Sequence, residues 1–255
     1  MTHPPIFCSG CSIIDDSGIH TLADFQPWES DQDGPAAIKR TQVLGQPYIA
    51  FGKLNLPDKL AFSAGSLVLR ESTAYSPEST GIFLGIPSGS HSTDLLYKYS
   101  VEEGTPSPAY FSATLPSSPV ADIAIYYKIK GPDIIFPGGD SPLLSAIESA
   151  QFLLQQGKLN GALILLVEET TGNPGGSSDL QPFAFAIHLQ TGIPDDTAAP
   201  SFHYHFGEVS PSPEEMIHND RSLATTLFTL LRKKQSERIT VPIHGFKGYI
   251  SLQYT

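Results

Sequence analysis

The sequence predicts a layered α/β domain in which helices cover a mixed, mostly parallel sheet. Three observations carry that prediction. Segments 81–86, 161–168 and 183–189 are nearly uninterrupted apolar runs of strand length. Segments of helical periodicity alternate with them along the chain. The segment from Leu143 to Leu154 is apolar around most of its circumference, which suits a helix buried on almost every side.

Residues 6–14 read as the first strand. Residues 15–57 are rich in Gly, Pro, Asp and Gln, and read as an irregular excursion with one short helix. Pro57-Asp58 opens a helix whose Leu60, Ala61, Ala64, Leu67 and Val68 fall on one face. Residues 81–86 form a short buried strand. Ser92 to Val101 reads as a helix with Leu95, Leu96 and Tyr99 on one side, and 104–108 as a loop. Ser117-Ser118-Pro119 begins the next helix, a hydroxyl before the first turn and Pro within it. Residues 133–136 are a strand, and Pro137-Gly138-Gly139 turns the chain. Either Asp140 or Ser141 caps the apolar helix, and Gly157 ends it.

Residues 161–168 are a core strand, 171–180 a Gly/Ser loop, 183–189 another strand and 203–208 a further one. Pro213 to Lys234 has helical spacing, with Met216, Leu223, Leu227, Leu230 and Leu231 as its apolar face. Residues 239–254 alternate around Gly245 and Gly248 as a hairpin.

Composition narrows the function classes. A net charge of −11 disfavours nucleic acid and anionic membrane surfaces, both of which require clustered cations. The one basic run, Arg232-Lys233-Lys234, suits the carboxyl end of a helix. No apolar run approaches the ~18 residues that a membrane span needs, and Met1 to Pro5 carry no signal-peptide pattern, so a cytoplasmic location is the expectation. Cys8 and Cys11 form a Cys-x-x-Cys pair on the first strand. A redox pair belongs at a helix start and a structural zinc needs four ligands, so the reading is two packed thiols. His203 and His205 alternate on a strand without an evident third ligand, so no metal site is predicted.

Ser107 to Pro116, followed by Pro119-Val120-Ala121-Asp122-Ile123-Ala124-Ile125 and Lys128-Ile129-Lys130-Gly131-Pro132, resembles the β-ketoacyl synthase family just ahead of its active-site turn. Thr80 to Ile86 resembles the strand upstream, and Ser145 to Ile164 the helix and strand downstream. The resemblance covers roughly residues 6–190. It implies the amino-terminal half of a thiolase-like fold: a single truncated domain over 1–255, with a ketosynthase-like core over 1–190 and a divergent extension over 191–255 holding one helix and a hairpin.

In that family the nucleophilic cysteine lies eight residues after the Gly-Pro pair, where a helix amino end favours the thiolate. Counting eight from Pro132 gives Asp140. A carboxylate there is a poor acyl carrier and reads as a helix cap. The family's two catalytic histidines belong to a second half that this chain does not complete. His188, His203, His205, His218 and His244 lie outside its motifs, Ile243-His244-Gly245 matching one only superficially.

The resemblance therefore implies a non-catalytic, chain-length-factor-like subunit that forms a heterodimer or heterotetramer with an active ketosynthase. Such subunits occur in type II polyketide or fatty-acid-like systems such as aryl polyene pathways. Ile134, Ile135 and Phe136 would pair across the two-fold axis, and Tyr110, Phe111 and Leu115 would shape the partner's acyl tunnel. No cofactor is implied. The acyl carrier protein, itself acidic, would dock on the ketosynthase and reach this chain only indirectly. Two other readings stand beside this one: a scaffold using the fold as an interaction platform, and a degenerate decarboxylase-like enzyme with Asp140 as base. An exposed sheet edge and apolar interface imply poor solubility without a partner.

Overall fold

The computed structural model describes residues 4–30, 34–72, 75–169, 181–192, 200–206, 217, 219–243 and 246–254, the side chains of 71, 204–206, 237–243 and 246–249 excepted. β1 (Ile6–Ile14) leads into a small hairpin, β2 (Gly18–Thr21) and β3 (Phe25–Pro27). Short helical turns follow, including α1 (Arg40–Val43). The excursion read as irregular thus contains two strands as well as a short helix. It is tied down by Trp28, whose indole N–H donates to the Asp15 carbonyl at 2.9 Å.

α2 (Leu56–Glu71) is capped by Asn55, whose side chain accepts from the Asp58 N–H at 2.9 Å. β4 (Thr80–Gly85), α3 (His91–Glu102), α4 (Pro108–Ala113), α5 (Ser118–Tyr127) and β5 (Asp133–Phe136) come next. α4 begins at the last residue of the loop read over 104–108 and was not itself expected: Ser107 accepts from the Tyr110 N–H and Pro108 fills the first turn. α6 (Pro142–Gln155), β6 (Gly161–Glu168), β7 (Phe183–Thr191), β8 (Ser201–Phe206), α7 (Asp220–Lys233), β9 (Glu237–Ile243) and β10 (Phe246–Gln253) complete the order.

The strands form one sheet in the order β5-β4-β6-β7-β1-β8-β10-β9, with β2 and β3 branching from β1. It is mixed, but among the described residues parallel pairing is confined to β5–β4–β6. The expectation of a mostly parallel sheet is corrected there. β6–β7 and β9–β10 are antiparallel pairs of consecutive strands, and β1 lies antiparallel to both β7 and β8.

The last part of the chain repeats an arrangement seen earlier. α6 is followed by the antiparallel pair β6–β7, and β7 pairs with β1. α7 is followed by the antiparallel pair β9–β10, and β10 pairs with β8. The repeats meet at β1 and β8, and α6 and α7 pack in the same core layer.

Side chains alternate between two cores, one on each sheet face. Ala162, Ile164 and Leu166 of β6 meet α6 and α7, whereas Leu163, Leu165 and Val167 meet α2 and α5. Leu143, Leu144, Ile147 and Leu154 of α6 are each at most 1% exposed, and burial of such side chains is worth about 1.5–3 kcal/mol apiece. β1 departs from simple alternation. A register shift between Cys8 and Gly10 leaves Ser9 as the extra residue. Cys8 and Cys11, three positions apart, consequently enter the same core.

Candidate functional site

The turn that the resemblance singles out joins β5 to α6, at the carboxyl ends of the parallel strands. Gly138 and Gly139 both adopt left-handed backbone, at φ 87° and 99°, which side chains rarely tolerate. Gly85, at the end of β4, lets α6 approach closely. A Cβ there would sit 2.9 Å from both the Leu143 nitrogen and the Pro142 carbonyl carbon. Asp140 is exposed in the turn. It is not the cap of α6. Ser141 is: its hydroxyl oxygen accepts from the Leu144 N–H at 3.3 Å. The cap reading of Asp140 is corrected, because the two left-handed glycines start the helix one residue later.

A carboxylate does stand at the amino end of α6, and it comes from α7. Asp220 Oδ2 accepts from the Leu143 N–H at 2.9 Å, and Oδ1 accepts from the Ser141 hydroxyl. Asp220 is 6% exposed. Burial raises its carboxyl above the ordinary range, and the two hydrogen bonds oppose that shift. Asn219 begins α7, accepting from the Ser222 N–H at 2.8 Å. The helix therefore starts at Asp220, later than the Pro213 expected from periodicity; Ile217 is not helical, and 213–216 and 218 lie outside the described residues. Beside this junction Arg221 reaches Glu168 at 3.5 Å and lies 4.5 Å over the Phe183 ring.

Two amino-end N–H groups of α6, those of Leu143 and Leu144, are thus engaged within the chain rather than offered to a thiolate or an oxyanion. The two cysteines offer no replacement. Both are buried in β1, and burial pushes the Cys8 thiol up to about 12. His188 is also buried. Its Nδ1 contacts the Ser9 hydroxyl at 2.6 Å and the Ser72 hydroxyl at 3.2 Å, and desolvation lowers it to about 4, so the ring is neutral. Burial lowers His203 as well. The His205 side chain, His218 and His244 lie outside the described residues. Among the described residues no group of three His, Cys, Asp or Glu is placed to hold a metal. No helix there is long and apolar enough to cross a membrane.

Two further buried carboxyls, both missed by sequence reasoning, tie helix starts to neighbouring elements. Asp58 Oδ2 accepts from the Ser118 hydroxyl at 2.9 Å, linking α2 to α5, and burial raises Asp58 to about 7. Glu169, following β6, accepts from the Ser92 N–H of α3 at 3.1 Å and is raised by burial.

The residues expected at a partner interface lie at the sheet edge. β5 is the outermost strand, paired among the described residues only with β4. Ile134 and Phe136 pack partly against the α6 core and Ile135 against the opposite one. Tyr110, Phe111 and Leu115 are 40%, 61% and 59% exposed. Tyr110 and Phe111 lie on α4 and Leu115 just beyond it, with Leu96 and Tyr99 of α3 also exposed and Phe111 5.3 Å from the Tyr97 ring. In this chain all three are surface side chains.

No family model matches the sequence, and a search of curated proteins finds no match. Solved structures do match. A structure of the ketosynthase ApeO in complex with its chain length factor ApeC, from Xenorhabdus doucetiae, aligns at TM-score 0.63 and 15% identity, over 97% of this chain and 99% of the matched one. The ishigamide ketosynthase/chain length factor aligns at TM-score 0.65 and 14% identity, over 98% and 99%. A type II polyketide acyl-carrier protein in complex with its hexaketide-bound ketosynthase aligns at TM-score 0.67 and 13% identity, over the full length of both chains. The fold is the thiolase-like fold of ketosynthases.

Proposed function

We propose that this chain is a non-catalytic, chain-length-factor-like subunit. In this reading it pairs with an active β-ketoacyl synthase in a type II polyketide or fatty-acid-like pathway of the aryl polyene kind, and shapes its acyl tunnel. The observation that carries the reading is the amino end of α6. Asp140 occupies the position where the resemblance puts the nucleophile, while Asp220 and Ser141 take the Leu143 and Leu144 N–H groups. A helix start so occupied is stable and has little left to offer a reacting carbonyl.

The outer edge of β5, unpaired among the described residues, supports pairing, since an unpaired strand is a template for another chain. The exposed Phe111, Leu115 and Tyr99 add apolar surface that a partner would cover. A net charge of −11 supports docking of an acidic carrier protein on the ketosynthase rather than on this chain. The pair would act in the cytoplasm, without a cofactor on this chain.

Co-expression with an intact ketosynthase from the same gene neighbourhood tests the proposal. The expected result is a stable complex, a heterodimer or its doubled form, by size exclusion with light scattering. Its condensing activity should be abolished by removing the partner's nucleophile and retained in Asp140→Ala. A ketosynthase that never co-purifies would support the scaffold reading, and loss of turnover in Asp140→Ala the decarboxylase reading.

A further inference from the structure

We propose that the groove between the β1–β2 segment and the last two turns of α7 binds a linear fatty carboxylate. The groove has a volume of about 540 Å³, inside the ~300–1,000 Å³ range of small-molecule sites. Ile13 and Phe228, 3% and 6% exposed, form its apolar floor. Thr225 and Thr229 donate their hydroxyls back to the Arg221 and Thr225 carbonyls, both at 2.8 Å. Their protons are thus used within the helix, and the wall offers a ligand tail no hydroxyl donor.

The charge lies at one end. Arg232 and Lys233 line the groove, are exposed, and form no ion pair among the described residues. Asp15 and His20 also line the groove, and one oxygen of Asp15 is engaged within the chain. Its Oδ1 accepts from the Ser17 N–H at 2.9 Å, the Ser17 hydroxyl at 2.6 Å and the Gly18 N–H at 3.2 Å, and meets His20 Nε2 at 3.2 Å. In a chain of net charge −11 this is a local concentration of cations beside an apolar floor. That combination complements a carboxylate head held at the water boundary with its tail on Phe228. The site lies on α7 and β1–β2, apart from the α6 turn and the β5 edge, and its existence does not depend on the function proposed above.

Trp28 is the sole tryptophan and donates to the Asp15 carbonyl, so its fluorescence reports on this wall. The test titrates the full chain with dodecanoate below its micellar concentration, following Trp28 emission and melting temperature, with dodecanol and dodecyltrimethylammonium in parallel. The expected result is saturable, salt-sensitive binding of dodecanoate. It should be weakened at least about tenfold for dodecanol and in Arg232→Glu/Lys233→Glu, and blocked by Thr229→Phe. Arg232→Gln/Lys233→Gln replaces the reversal if that variant melts early. No saturable response, equal binding of dodecanol, or undiminished binding by the charge variants overturns the proposal.

Discussion

The Asp220 carboxylate accepts the Leu143 N–H at 2.9 Å, joining the first residue of α7 to the first turn of α6 across 77 positions of sequence. A buried anion there meets the positive end of the α6 dipole. It also satisfies an N–H that the helix cannot pair internally. Asp220→Ala is expected to lower stability by about 1–3 kcal/mol, the cost of leaving a buried donor unpaired. Asp220→Asn, which keeps an acceptor oxygen, should lose less. Chemical denaturation of both variants measures the difference.

The same contact bears on Asp140. Placing a cysteine there restores the family's residue type but not the free helix end that activates it. Asp140→Cys is expected to yield a thiol that alkylates with an apparent pKa near the ordinary ~8.5, and no condensing activity on this chain. Asp140→Cys combined with Asp220→Ala should lower that pKa, because it releases the Leu143 N–H. Iodoacetamide rates against pH distinguish the two variants; equal pKa values in both would show that Asp220 does not control the turn.

Much of this was legible in the sequence, and the failures have physical causes. β4, β6 and β7 are fully or nearly fully buried, so their apolar residues register directly in the pattern; α6 is buried less completely than its apolar circumference predicts, eight of its fourteen residues being buried and Phe152 60% exposed. β2 and β3 are short, and β3 carries Pro27 and exposed Phe25, so neither shows an alternating signal. α4 spans only 108–113 and is fixed by the Ser107 cap. The α7 boundary, the Asp58–Ser118 bond and the Asp220 contact each depend on a partner distant in sequence, which no local periodicity encodes. The shared face of Cys8 and Cys11 required the bulge at Ser9.

Two buried groups should oppose each other in acid. Asp58 is raised from 3.8 to about 7, so the folded state holds its proton more tightly than the unfolded chain does. Its contribution to stability is therefore lost as pH rises from about 4 to about 7, by on the order of 4 kcal/mol. His188 is lowered from 6.5 to about 4. Its contribution is lost in the other direction, as pH falls from about 6.5 to about 4, by on the order of 3 kcal/mol. Relative to the unmodified protein, Asp58→Asn should gain stability progressively as pH rises through this window, and His188→Gln should gain it as pH falls. Urea titrations at pH 4.5, 5.5 and 6.5 measure both slopes, and slopes of the same sign would refute the assignment.

Phe111 gives the sharpest test of the tunnel reading. It is 61% exposed and its ring lies tilted, 5.3 Å from that of Tyr97, so changing its size should cost less than about 1 kcal/mol in this chain alone. Any effect must then arise in the complex. If Phe111 limits the growing acyl chain by excluded volume, Phe111→Ala in the reconstituted pair should shift products to longer chains and Phe111→Trp to shorter ones, with similar total turnover. Product mass spectrometry separates this from a purely structural role, for which complex yield would fall while the length distribution stayed fixed. An unchanged distribution in both variants, with the complex intact, would remove Phe111 from the tunnel and move attention to Tyr110 and Leu115.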